Sequence, residues 1–291
     1  MKIRLFILIL LSLLFAGNAS ASKLEAKRGV VEDGYNFWLY QPDSVSVKNP
    51  KPVIIFLHGA SLCGNNLDRV RRYGTIDAIE RGRKIDAYVI APQNPGGPWN
   101  PDRIMNILEW VMVNHHVDAS RVYALGMSLG GFGTLDLCAA YPDRIAAGMA
   151  FCGGATAVNL GDLNDVPLWI IHGTADRAVA VSESDKVVEA MKSFDGETPR
   201  LIYDRVAGMN HSQPARFFYM EECYDWLMSH SLDDEDRPIT ESCNLTGNSH
   251  TAYAGLHHNG KKIVKASKRK SSHAKSKVRK SRSKRSARTS R

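Results

Sequence analysis

Unbroken apolar runs alternate with amphipathic stretches along most of the chain, and this alternation predicts an α/β domain. Strands buried on both faces of a sheet are apolar throughout, whereas helices repeat their apolar residues every three or four positions. We predict strands at Pro52–His58, Ala87–Ala91, Arg121–Leu125, Ala146–Phe151, Pro167–Ile171 and Arg200–Tyr203. We predict helices at Pro101–His115, Leu129–Tyr141, Glu183–Met191 and Ala215–Met228. The expected fold is a mostly parallel central sheet with helices on both faces.

The segment before these units has a different pattern. Gly29–Pro42 reads as two short strands around Asp33-Gly34, which is a hairpin signal. We therefore expect an antiparallel edge where the domain begins.

The first residues have the order of a secretory signal peptide: charged, then apolar from Leu5 to Ala16, then small. The apolar run is shorter than the ~20 residues that span a bilayer, and Ala19-Ser20-Ala21 offers a cleavage site. We expect residues 1–21 to be removed and the mature protein to be periplasmic or extracellular, with no transmembrane segment. The catalytic domain is then 22–231.

Charge divides the rest of the chain into two regions. Residues 22–260 hold 21 basic and 30 acidic residues, whereas 261–291 hold 15 of the 38 Lys and Arg and no acid. We predict a polar linker at 232–260 and a disordered basic tail at 261–291, because neither has apolar residues enough for a core. The tail either makes weak electrostatic contact with anionic surfaces or is a solvated extension. It has no aromatic residue, which argues against specific nucleic-acid binding.

A nucleophile motif lies between a predicted strand and a predicted helix. Gly126-Met-Ser128-Leu-Gly130 matches G-x-S-x-G, and this strand–turn–helix context is that of a nucleophile elbow. A serine hydroxyl needs a base, and the base needs an orienting acid. Ser128 is therefore the candidate nucleophile, and its partners are sought downstream.

Chain position selects the base and the acid. In this architecture the order is Ser, acid, His, and His211 lies in the loop between the last strand and the last helix. His172 ends a strand and is assigned to the loop that positions the acid. Asp176 follows the carboxyl end of that strand, whereas the other candidate acids lie beside helices or before the strand. We predict His211 as the base and Asp176 as the acid.

The oxyanion needs backbone donors. Leu129, directly after the nucleophile, supplies one N–H. The turn His58-Gly-Ala-Ser61 supplies the other, from Ala60 or alternatively from Ser61. None of the five cysteines has metal-ligand spacing.

Together these residues resemble the α/β-hydrolase superfamily, and within it the cap-less esterases similar to the phospholipase/carboxylesterase, dienelactone hydrolase and feruloyl or acetylxylan esterase families. The resemblance covers roughly 53–227 and implies ester hydrolysis through an acyl-enzyme, without cofactor or metal. It rests on Leu57-His-Gly-Ala60, Gly126-Met-Ser-Leu-Gly-Gly131, His172-Gly-Thr-Ala-Asp176 and Asn210-His211.

The short connection between Phe151 and Pro167 leaves no room for a large lid, so an open site is expected. An open site suits large or polymer-attached acyl groups, and the expected substrate is a small-molecule or polymer-attached ester. Trp99 is either an aromatic wall of the cleft or a loop-packing residue. Three other functions stay open: a peptidase of the prolyl-oligopeptidase type, an acyltransferase and a non-catalytic binding module. A binding module needs neither triad nor oxyanion turn, which argues against it.

Overall fold

The computed structural model describes residues 22–239 and 244–257. The predicted signal peptide (1–21) and basic tail (261–291) lie outside the described residues. The chain divides into two units, 1–256 and 257–291, and the fold below is that of the first.

One eight-stranded sheet organises this unit, in the order β1-β2-β4-β3-β5-β6-β7-β8. The pairs β1–β2 and β2–β4 are antiparallel, and all pairs from β4 to β8 are parallel. The α/β prediction is confirmed. The strands are β1 (Lys23–Lys27), β2 (Phe37–Gln41), β3 (Lys51–Leu57), β4 (Tyr88–Pro92), β5 (Val117–Met127), β6 (Ala147–Phe151), β7 (Leu168–Gly173) and β8 (Leu201–Val206).

Helices cover both faces of the sheet, as expected for strands whose residues are buried on both sides. One apolar core lies under α1 and α5, and a second lies under α2, α3 and α4. The helices are α1 (Thr75–Glu80), α2 (Pro101–Asn114), α3 (Leu129–Ala140), α4 (Ser182–Asp195), α5 (Glu221–Met228) and α6 (Leu245–Asn248).

Two elements differ from their sequence prediction for reasons of backbone conformation. The antiparallel edge exists, but Phe37–Gln41 pairs with Lys23–Lys27, because Gly29 and Asp33 adopt positive φ and 29–36 forms a wide turn. The single helix expected at 215–228 begins as a 3₁₀ helix, Gln213–Tyr219. The extended backbone of Met220 separates it from α5.

The parallel strands bring their carboxyl ends to one edge of the sheet. Loops after β3, β5, β6, β7 and β8 therefore meet there, which is where ligands bind in such sheets. Between β6 and β7 the chain forms only a short 3₁₀ helix, Gly161–Asp165, so this connection carries no large lid.

The folded unit extends beyond residue 231, the boundary expected from the sequence. Leu232, Ile239 and Leu256 pack against the core, and Leu245 and Ala252 are buried. The guanidinium of Arg237 donates hydrogen bonds to carbonyls at 142, 145 and 146, just before β6. The first part of the expected linker is thus held by apolar contacts and by hydrogen bonds from the Arg237 side chain to backbone carbonyls.

Within 22–239 and 244–257, no helix combines the length and apolarity that crossing a bilayer requires.

Candidate active site

Ser128 lies at the turn between β5 and α3 in a strained conformation. Its φ and ψ are 58° and −123°, a region that costs a non-glycine residue free energy and is typical of functional turns. Close packing holds it there: a Cβ on Gly130 would lie 1.9 Å from the carbonyl oxygen of Leu57, and one on Gly126 would lie 2.3 Å from that of Gly130. The half-buried Ser128 is thus presented above the sheet edge, as its G-x-S-x-G context predicts.

Asp176 and His211 form a hydrogen-bonded pair from two neighbouring loops. Asp176 follows β7, His211 follows β8, and Nδ1 of His211 lies 2.7 Å from Oδ2 of Asp176. The other carboxylate oxygen accepts the backbone N–H groups of Ala178 and Val179 at 2.8 and 2.9 Å. The Asp176 side chain is fully buried, whereas 27% of the His211 side chain is exposed.

The hydrogen bonds on Asp176 decide its charge. Burial raises the pKa of the carboxyl group, but the N–H groups of Val179 and Ala178 and the ring of His211 outweigh burial and hold that pKa below its ordinary value. The carboxylate is thus anionic at neutral pH. An anion at this position fixes the His211 tautomer, leaving Nε2 as the free nitrogen.

His172 lies beside this pair, in the loop that positions the acid, as expected from the sequence. Its ring is buried, with Nε2 3.0 Å from the carbonyl oxygen of Val179 and Nδ1 2.8 Å from the hydroxyl of Ser184. Nε2 also lies 3.4 Å from Oδ2 of Asp176. Burial lowers the pKa of His172, so the ring is neutral at pH 7. Its hydrogen bonds to Val179 and Ser184 fix the shape of the loop.

Cys152 joins the nucleophile turn to the base, which the sequence did not indicate. It follows β6 at a φ of 38°, and its Sγ lies 3.8 Å from the carbonyl oxygen of His211 while also contacting the backbone N–H of Ser128. Burial raises the pKa of this thiol to about 12, so it stays protonated and does not compete with Ser128 as a nucleophile.

In the described part of the chain, one group of three side chains has ligand atoms close enough to share a metal ion. Cys152, Asp176 and His211 place theirs within 4.8 Å of one another. The Nδ1 atom of His211 already donates to Asp176, however, and the thiol holds its proton. The cluster fits an acid–base pair better than a metal centre. Among the cysteines that the structure describes, Cys63, Cys138 and Cys152 have free thiols.

The predicted oxyanion turn lies beside Ser128. A Cβ on Gly59 would lie 3.5 Å from Cβ of Ser128. Ala60 begins a 3₁₀ turn and Leu129 begins α3, so neither N–H has a carbonyl partner within its own helix. Ser61, the alternative donor, lies inside the same turn. The structure brings the two preferred N–H groups to the same edge as the nucleophile.

Buried side chains hold this turn in place. His58 donates from Nδ1 to the carbonyl oxygen of Gly59 at 2.9 Å, and its Nε2 accepts the N–H of Asn94 at 3.1 Å. Burial lowers the pKa of His58 to about 4, which keeps the ring neutral at pH 7. The hydroxyl of Tyr73 accepts the N–H of Gly59 at 3.0 Å.

Trp99 does not form an aromatic wall of the cleft. It is 4% exposed, its indole N–H points to the carbonyl oxygen of His58 at 3.3 Å, and its ring packs edge-on against Tyr35. A Cβ on Gly133 would lie 2.5 Å from this ring, so α3 covers it. Of the two readings left open by the sequence, the structure supports loop packing.

Comparison with known proteins finds acetylxylan esterases among the relatives, although no family model matches the chain. The chain is 30% identical over 221 residues to acetylxylan esterase A of Emericella nidulans, which covers 65% of this chain and 66% of that protein. It is 24% identical over 262 residues to the probable acetylxylan esterase A of Aspergillus clavatus, and this match covers 76% of this chain and 80% of that protein. A solved thermostable esterase superposes with a TM-score of 0.58 at 21% identity, over 72% of this chain and 63% of that one, and supports the fold.

Proposed function

We propose that this chain, a carboxylic-ester hydrolase of the α/β-hydrolase superfamily, uses Ser128 as nucleophile, His211 as base and Asp176 as the orienting acid. The observation that carries the assignment is the 2.7 Å hydrogen bond between His211 and Asp176, which follow β8 and β7 at the same edge of the sheet as the strained Ser128 turn after β5. Cys152 supports it, because its thiol contacts both Ser128 and His211.

Acylation follows from these positions. The Ser128 hydroxyl oxygen attacks the ester carbonyl carbon while Nε2 of His211 takes the hydroxyl proton. Asp176 stabilises the imidazolium so formed, and the N–H groups of Leu129 and Ala60 bind the oxyanion. The tetrahedral intermediate then expels the alcohol, whose oxygen takes the proton from His211. An acyl-serine remains.

Deacylation repeats the sequence with water. Nε2 of His211 takes a proton from water as the water oxygen attacks the acyl carbon. The intermediate collapses, the Ser128 oxygen regains its proton from His211, and the carboxylic acid leaves. No step of this cycle requires a cofactor.

We also propose polymer-attached acyl esters as substrates and a place of action outside the cytoplasm. Two relatives are named for acetylxylan, and the connection between β6 and β7 leaves the sheet edge without a large lid. The 1–21 pattern supports export, and the charge of 261–291 supports weak attraction of the tail to anionic surfaces. If export is correct, the N-terminus of the mature protein is Ser22.

The test of the proposed function is active-site labelling. We expect a fluorophosphonate to label the wild type and not Ser128→Ala, and nitrophenyl acetate hydrolysis to fall in Ser128→Ala by at least ~10³-fold. Ser46→Ala, at an exposed loop position, is the matched control and keeps both signals. Equal labelling of the wild type and Ser128→Ala would refute the assignment. An unlabelled but folded wild type would favour the non-catalytic module.

A further inference from the structure

A cavity of about 630 Å³ borders the exposed side of His211. It lies between the loop that carries Asp176 and the loop that carries His211, so it is continuous with the acid–base pair. Its walls include Ala175, Arg177, Ala178, Gly208, Asn210 and His211.

The guanidinium of Arg177 places a permanent positive charge in the wall of this cavity. The side chain is exposed, and among the described residues it makes no ion pair and no hydrogen bond. Neighbouring Asp176 does not neutralise it by contact, because that carboxylate is fully buried and already accepts hydrogen bonds from His211, Ala178 and Val179. Some other arginines of the unit are paired: Arg205 with Asp185, and Arg144 with Glu109. Arg177 is therefore available to a ligand.

The surrounding charge makes this position distinctive. Residues 22–260 carry 30 acidic and 21 basic side chains, so the unit as a whole repels anions. No Asp or Glu among the described residues lines the cavity. An anion is therefore attracted here and disfavoured over much of the remaining surface.

The chemistry of the proposed reaction says which part of the substrate lies here. His211 returns its proton to the oxygen of the leaving alcohol, so that alcohol must lie against the His211 ring. The cavity beside His211 is thus on the leaving-group side of the site. The acyl group, held by Ser128 and the oxyanion donors, lies on the other side of the scissile bond.

We propose that Arg177 binds a carboxylate carried by the alcohol portion of the ester, so that the enzyme prefers esters of acidic alcohols over neutral ones. A planar guanidinium pairs with a carboxylate through two parallel hydrogen bonds, which adds orientation to charge. This inference rests on the proposed function and adds a substrate class to it.

The test compares two acetate esters of similar shape that differ in the charge of the alcohol. These are 4-acetoxybenzoate, whose alcohol portion is an anion, and 4-acetoxybenzamide, whose alcohol portion is neutral. The measured quantity is the ratio of kcat/KM for the anionic ester to that for the neutral ester. We expect Arg177→Ala to lower this ratio about 3- to 5-fold at low salt, the range of a solvent-exposed ion pair. Arg177→Lys should retain part of the preference for the anionic ester, because the positive charge remains while the planar guanidinium that donates two parallel hydrogen bonds is lost.

Arg216→Ala is the matched control. Arg216 is also an exposed arginine without a partner among the described residues, but it does not line the cavity. We expect it to leave the ratio at the wild-type value, and we expect 0.5 M salt to shrink the Arg177 effect. An unchanged ratio in Arg177→Ala, or an equal fall in Arg216→Ala, would overturn the proposal.

Hydrolysis of the neutral ester separates this proposal from the one on which it rests. If Ser128→Ala abolishes that hydrolysis while Arg177→Ala leaves the ratio unchanged, the serine mechanism stands and the anion subsite is wrong. If Ser128→Ala hydrolyses the neutral ester at the wild-type rate, the serine mechanism itself is wrong.

Discussion

The turn that carries Ser128 and the loops that carry Asp176 and His211 are fixed by different forces. Around Ser128 the constraint is steric, since glycines at 126 and 130 let backbone segments approach closer than any side chain permits. Around Asp176 the constraint is polar, since the buried carboxylate is held by two backbone N–H groups and one imidazole. A steric constraint concerns position alone, whereas a polar one also sets charge. The difference suggests that the nucleophile needs placement and the acid–base pair needs placement and ionisation.

The largest effect is expected where charge is removed without changing shape. Asp176→Asn keeps the size of the side chain but loses the anion, and the amide would favour the wrong His211 tautomer. We expect kcat/KM for a nitrophenyl ester to fall about 10³- to 10⁴-fold. Circular dichroism and the unfolding midpoint serve as controls for folding. A loss below tenfold in a folded variant would mean that Asp176 is a structural carboxylate.

The next effect is expected from filling the space under the nucleophile turn. In Gly130→Ala the new methyl would lie 1.9 Å from the Leu57 carbonyl oxygen, and backbone there cannot yield cheaply. We expect the free energy of unfolding to fall by about 3 kcal/mol, measured by urea denaturation.

Gly161→Ala is the control for this substitution. Its methyl would lie 2.9 Å from the ring of Phe194, which is 58% exposed and free to turn away. Equal losses in the two variants would show that close packing at Gly130 is not what holds the turn.

The smallest effect is expected in the pH dependence of the free energy of unfolding, through the buried ring of His58. The pKa of His58 is lowered to about 4 by burial, while an unfolded histidine has a pKa of about 6.5. Between these values the unfolded chain binds a proton that the folded chain does not. The contribution of neutral His58 to the free energy of unfolding is therefore fully present above pH 6.5. As the pH falls toward 4, the free energy of unfolding decreases by on the order of 2–3 kcal/mol.

The measurement is the free energy of unfolding at several pH values for the wild type and His58→Gln. His115, His172 and His230 also have lowered pKa values and add losses of the same sign, so the quantity that matters is the difference between the two proteins. We expect the wild type to lose more stability than the variant between pH 6.5 and 4. Parallel pH profiles would rule out a buried neutral His58.

The steric half of the site was accessible from sequence and the polar half only in part. The G-x-S-x-G spacing is local, and the glycines that it requires are visible beside Ser128. Chain order selected Asp176 and His211, which the structure pairs, but it could not show Cys152 between Ser128 and His211. That contact joins the ends of three strands, and nothing near residue 152 indicates it.

Non-local packing also explains why the sequence left Trp99 undecided and placed the domain boundary at 231. Trp99 lies in a polar, glycine-rich segment that reads as an exposed loop, yet Gly133 on α3 gives its ring a place to be buried. Residues 232–256 lack the apolar density of a core segment, but a few of their side chains, including Leu245 and Ala252, reach the existing core. Hydrophobic periodicity predicts helices and strands. It does not predict which single side chains pack against a core formed by distant parts of the chain.

The packing of residues 232–239 and 244–256 limits where this protein can be shortened. A chain that ends at 231 would leave the carbonyls at 142, 145 and 146 without Arg237 and would uncover apolar surface where Leu245 and Ala252 now insert. A chain that ends after Leu256 keeps all of these contacts. We therefore expect a shortened chain to need some twenty-five residues beyond the boundary at 231, up to Leu256, if it is to keep the core closed.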